Sequence, residues 1–89
     1  MSYDGEAKLN ELAVRVHLSG HWQPVDGRFH WGGRISPSTD VVQLVRSGRR
    51  EVTVCIGEQS AKGRLGEVDP WGGVRVTGVG APPWEEDEE

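Results

Sequence analysis

Leu12-Ala13-Val14-Arg15-Val16-His17-Leu18-Ser19 decides how this chain is read. Its apolar residues recur at every second position, so an extended backbone puts Leu12, Val14, Val16 and Leu18 on one face and Arg15, His17 and Ser19 on the other. A helix would need the apolar residues three and four apart. The segment is therefore a strand with one buried face. Residues 28 to about 35 repeat the pattern, with Phe29, Trp31 and Ile35 on one side. The link Gln23-Pro24-Val25-Asp26-Gly27 carries turn chemistry, because Pro24 presets φ and Asp26-Gly27 accepts positive φ. Gly32 and Gly33 mark a bulge or a close backbone approach.

If these strands form an antiparallel hairpin, their apolar faces must coincide, since a slip of one residue turns every side chain to the wrong face. Val14, Val16 and Leu18 then share a face with Phe29, Trp31 and Ile35, and the loop predicts Leu18 opposite Trp31 and Gly20 opposite Phe29. The outward face gathers His17, Ser19, His21, Arg28 and His30, with Arg34 nearby.

Outward from this hairpin, a shorter strand precedes it over residues 3–9 and turns at Asn10 and Glu11. From Ser36 to Gly48 the period changes. Val41, Val42, Leu44 and Val45 have helix spacing, Ser38 caps the start, Asp40 lies in the first turn, Arg46 near the end, and Gly48 stands at the stop. Alternation returns over residues 51–57, 60–68 and 74–79, with Asp69-Pro70-Trp71-Gly72-Gly73 as the last turn, which makes a three-strand meander. Ala81-Pro82-Pro83-Trp84 is extended, and Trp84 is expected to fold back on the body. The fold class is mainly β: a small antiparallel barrel or curved sheet of about six strands with one short helix.

Eighty-nine residues enclose one core. Residues 1–84 form the β-rich domain, and Glu85-Glu86-Asp87-Glu88-Glu89 is a self-repelling acidic tail expected to be disordered. The net charge of −4 belongs to that tail, since the body carries ten basic against nine acidic residues. A neutral body with an acidic end is a poor match to nucleic acid, whose binding rests on phosphate neutralisation. No basic segment leads into an apolar one at the start, no apolar run is long enough to span a bilayer, and the one cysteine, Cys55, has no internal partner. These features predict a cytoplasmic, soluble protein.

The chemistry-bearing candidates are few. His17, His21 and His30 share one side of the hairpin and are weak metal candidates, because His17 and His21 stand roughly 13 Å apart along one strand. They read equally as a polar ligand-binding patch, as acid–base groups or as a solvated face. Ser19 with a histidine and Asp26 has the residue types of a hydrolytic triad but no nucleophile elbow around it. Cys55 has no group placed to lower its pKa, so a packed thiol is the plainer reading. The Gly-Gly pairs do not open a helix and read as turns and bulges. Trp22 and Trp71, beside turns, either close the barrel end or form a contact surface.

At these segments the chain resembles a known family. Gly20-His21-Trp22-Gln23-Pro24-Val25-Asp26-Gly27-Arg28-Phe29-His30-Trp31-Gly32-Gly33-Arg34 is similar to one block of an actinobacterial domain of unknown function. Residues 66–83, with Asp69-Pro70-Trp71-Gly72-Gly73, are similar to a second block, and Tyr3-Asp4-Gly5 fits the opening. Trp22, where the family more often has Phe, and Gly33 are the departures. Members occur alone and at the C-terminus of flavin-dependent monooxygenases, which implies an accessory role and supplies no catalytic residue. The resulting expectation is a small binding or accessory domain with no cofactor of its own. It would hold a small ligand or dock on a monooxygenase partner through His21, Trp22, Asp26, Arg28, His30, Trp31, Arg34, Asp69 and Trp71, their aromatic rings meeting at a common rim. The alternatives are a small enzyme using a histidine as acid or base in a barrel-end pocket, and a purely structural or dimerisation module, pairing through an exposed strand edge or the Trp-rich end.

Overall fold

The computed structural model describes residues 2–84. The elements run β1 (Ser2–Leu9), β2 (Leu12–Gln23), β3 (Arg28–Ile35), α1 (Thr39–Arg46), β4 (Glu51–Ile56), β5 (Gln59–Val68) and β6 (Val74–Val79). The six strands close into a barrel in the order β1-β2-β3-β6-β5-β4, and every ladder is antiparallel. The acidic stretch at 85–89 lies outside the described residues.

Closure is narrow. β1 meets β4 only through Lys8↔Cys55 and Leu9↔Val54. The β1–β2 turn reinforces this seam, because Asn10 N donates to Thr53 O (3.1 Å) and Asn10 Oδ1 accepts from Thr53 N (2.9 Å). Asn10 (φ 50°) and Glu11 (φ 79°) both sit in the left-handed region, the conformation a tight two-residue hairpin turn requires.

β2 extends through Gln23, beyond the end of its apolar alternation, and its register with β3 differs from the expected one. Leu18 stands opposite Gly33, Gly20 opposite Trp31, His21 opposite His30 and Trp22 opposite Phe29. The faces are as expected, but the pairing is two residues along. Alternation specifies which face a side chain takes and is blind to a slip of two residues. In the observed pairing Phe29 lies over Gly20 and Trp31 over Gly78, and a Cβ on either glycine would overlap the ring above it.

The interior is filled. Ala7, Leu9, Val14, Val16, Leu18, Trp31, Ile35, Val52, Val54, Leu65, Val74 and Val76 form its core. α1 closes the end where β3 stops and β4 begins, with Val41 fully buried. Its start follows the sequence reading, since the Ser38 side chain accepts from Val41 N (3.4 Å), and Gly48 follows its end at φ 91°. At the other end Trp84 folds back as expected: it is buried and packs edge-on against Trp31, with centroids 6.4 Å apart and an interplanar angle of 84°. Among the described residues no helix is long and apolar enough to cross a membrane.

Candidate binding groove on the outer face

With both ends plugged, the concave feature lies on the outside of the barrel, where it follows directly from the ladders. One outward row runs His21, His30, Val79 from β2 to β6. The next runs Ser19, Gly32, Thr77, Arg64, Glu51 from β2 to β4. A third holds His17, Arg34 and Arg75. The middle row is short over β2, β3 and β6, where its residues are Ser19, Gly32 and Thr77, and the rows beside it are long. The result is a groove of about 610 Å³, floored by Gly32 and walled by His21, His30 and Val79 on one side and Arg75 on the other, with Lys62, Arg64 and Glu51 at its β5–β4 end. Gly32 is required there, since a Cβ would come within 2.8 Å of Val76 O.

His30 is held in place. Its Nε2 lies 2.9 Å from Asp26 Oδ2, while Asp26 Oδ1 accepts from Arg28 N at 3.0 Å. One carboxylate thus shapes the β2–β3 turn and orients an imidazole at the groove. The hydrogen bond to His30 is the main cause that lowers the Asp26 pKa from 3.8, helped by Arg28 N and opposed by burial. A depressed carboxylate pKa means that the contact contributes above the unfolded value and is lost as pH falls through the folded one. In a carboxyl NMR titration Asp26 is expected to have its midpoint below 3.8 and to move upward in His30→Ala; an unmoved midpoint would show that the pair does not form. His21 lies beside it, with Nε2 2.7 Å from Gln23 Nε2.

The other sequence candidates are placed elsewhere. His17 pairs with Asp4 (3.1 Å) and does not line the groove. Among the described residues no three His, Cys, Asp or Glu side chains stand together to hold a metal ion. Arg34 reaches Asp69 (2.6 Å), whose other oxygen accepts from Trp71 N (2.9 Å) and Gly73 N (2.8 Å). This pair ties β3 to the β5–β6 turn. The Arg28 backbone serves the turn, and its side chain is exposed. Trp31 is core, 3% exposed, with its Nε1 unpartnered. Trp22 and Trp71 are exposed (61% and 78%), and they do not share a rim. Trp22 pairs with Phe29 near the start of β3, whereas Trp71 lies beside Pro37 and α1, past its far end. The two motif segments are neighbours along the β3–β6 ladder, but their exposed rings point to opposite ends. Sequence reasoning missed Glu51, Lys62, Arg64, Arg75 and Thr77. The alternation of β5 and β6 marks them as outward, but only the strand order sets them beside β3.

The model of a family described as a domain of unknown function, DUF4873, matches residues 1–85. The chain belongs to that family. The DUF4873 domain is 41% identical over 87 residues to uncharacterized proteins of Mycobacterium bovis (Mb0968c) and Mycobacterium tuberculosis (Rv0943c), covering 93% of this chain and 25% of theirs. It therefore spans about a quarter of the length of these curated relatives. No solved structure matches it. Much of the two blocks in this DUF4873 domain is explained by packing: Gly20 lies under Phe29 and Gly78 under Trp31, Asp26 shapes a turn, and Arg34 joins Asp69. His21 is not explained in that way.

Proposed function

We propose that this chain is a ligand-binding accessory domain whose site is the outer groove. The observation that carries the reading is that His21, His30, Gly32 and Gly33 of one motif segment and Arg75, Thr77, Gly78 and Val79 of the other line a single groove. Its volume falls in the range of about 300–1,000 Å³ found for small-molecule sites. The mycobacterial relatives are about four times the matched length, which supports a module that works beside a larger body. The family resemblance makes a flavin-dependent monooxygenase the partner to test. Exposed Trp22 and Trp71, outside the groove, offer two surfaces for docking.

The test is a 15N amide titration with FMN, FAD and a panel of small aromatic compounds. Saturable shifts confined to Gly32, Gly33, Thr77, Gly78 and their neighbours are the expected result. Shifts scattered elsewhere, or none with any compound, would leave a purely structural module. A second reading rests on the Asp26–His30 pair at the groove, which orients an imidazole for proton transfer. Under that reading a bound compound is chemically converted, and His30→Gln abolishes the conversion in mass-spectrometric product analysis; bound compounds recovered unchanged would remove it.

A further inference from the structure

We infer that the groove takes a small planar ligand carrying an oxyanion, with the charged group at the β5–β6 end and the planar part against the imidazoles. This deepens the binding reading above and rests on it. The charge around the groove is unevenly placed. Lys62, Arg64 and Arg75 line it from adjacent strands, and Glu51 is the one acidic residue in its lining. Arg64 stands directly across from Glu51 on one side and Thr77 on the other. The other cation nearby, Arg34, is already engaged with Asp69, and the His30 and His17 rings face Asp26 and Asp4. Among the described residues no carboxylate pairs with Lys62, Arg64 or Arg75. Cationic side chains without partners along a concave wall favour a phosphate or carboxylate, to which an arginine can donate two parallel hydrogen bonds.

The other end is built differently. His21 and His30 are directly paired across the ladder, with Val79 beyond His30. Between these and the cations the outward position of β3 is Gly32, with no side chain to raise the floor. A low floor of Gly32 between the short side chains of Ser19 and Thr77, beside two imidazoles, suits a flat ring. The lining crosses neighbouring strands from β2 to β4, so the imidazoles on β2 and β3 and the cations on β5 and β6 lie at different places along it. A nucleic-acid strand is a poorer fit, because such binding grows with the number of phosphates neutralised and the groove offers Lys62, Arg64 and Arg75 alone.

The experiment follows amide shifts of the full chain during titration with phenyl phosphate, benzoate, inorganic phosphate and benzyl alcohol. Phenyl phosphate is expected to move Gly32 and Thr77 together with Lys62, Arg64 and Arg75 on one saturation curve. Inorganic phosphate should move only the cationic end, and benzyl alcohol should bind at least tenfold more weakly. Benzoate against phenyl phosphate separates carboxylate from phosphate as the preferred oxyanion. The double variant Arg64→Gln/Arg75→Gln, whose side chains are exposed, should keep a dispersed spectrum and lose at least tenfold affinity for phenyl phosphate with benzyl alcohol unchanged. If benzyl alcohol binds as well as phenyl phosphate, or the double variant binds phenyl phosphate undiminished, the oxyanion assignment fails while the groove stands. If no compound shifts the groove amides, both readings fail.

Discussion

Trp31→Ala is expected to destabilise the domain by about 3–5 kcal/mol, the usual loss on truncating a buried Trp to Ala. A chain of this length has a total stability of roughly 4–13 kcal/mol, so the variant should sit close to its unfolding threshold, with a sharply lowered urea midpoint. The size of the effect follows from where the ring lies. Trp31 is 3% exposed, it meets the edge of Trp84, and it occupies space that Gly63 and Gly78 leave empty. Its unpartnered Nε1 reduces the net value of the side chain, since a buried donor without an acceptor costs about 1–3 kcal/mol. Burial of the ring still dominates. Gly78→Ala provides the control. In the wild-type background its methyl overlaps the indole and should cost about 1–3 kcal/mol as overpacking. In the Trp31→Ala background the same methyl enters vacated space, so its cost should shrink or reverse. A double-mutant cycle that came out additive would show that the ring does not lie over Gly78.

The second large effect separates two partners of one ion pair. Asp69→Ala is expected to cost about 2–3 kcal/mol and Arg34→Ala less than about 1 kcal/mol, measured by denaturant unfolding. The Arg34 side chain is 62% exposed and that of Asp69 19%; an exposed ion pair is worth little, because water screens it and both side chains lose freedom. Asp69 does more than pair. Its Oδ1 accepts from Trp71 N and Gly73 N, Gly73 is buried, and removing the acceptor leaves the turn's donors unsatisfied. Asp69→Asn, which keeps an oxygen at Oδ1, should fall between the two. Equal losses for Arg34→Ala and Asp69→Ala would mean that the ion pair to β3, rather than the carboxylate's bonds within the β5–β6 turn, carries the stabilisation.

These effects mark how far the sequence could be read. The bounds of β3 and β6, the Ser38 cap and the turn at Asn10 and Glu11 were legible because each depends on neighbours in the chain: alternation, a side-chain oxygen three residues ahead of an amide, a residue that tolerates positive φ. The choice of faces in the β2–β3 hairpin was legible for the same reason. The two-residue register was not, since alternation is unchanged by a slip of two, and the Trp31 ring lies over Gly78, which is distant in sequence. Four of the nine proposed contact residues, Asp26, Trp31, Arg34 and Asp69, have a structural part in turns, core or crosslinks, and Trp31 also lines the groove. A residue type that serves recognition serves packing equally well, and only its neighbours tell the two apart.

From its own order of residues this chain determined six strands, one capped helix and the sides on which its apolar residues lie, because burying one face of a strand or helix is a local demand. Only the tertiary structure decided that β3 lies beside β6, and with it the groove. Lys62, Arg64 and Arg75 come to lie in one groove with His21 and His30 through strand order alone, because residues on different strands become neighbours only when the ladders form.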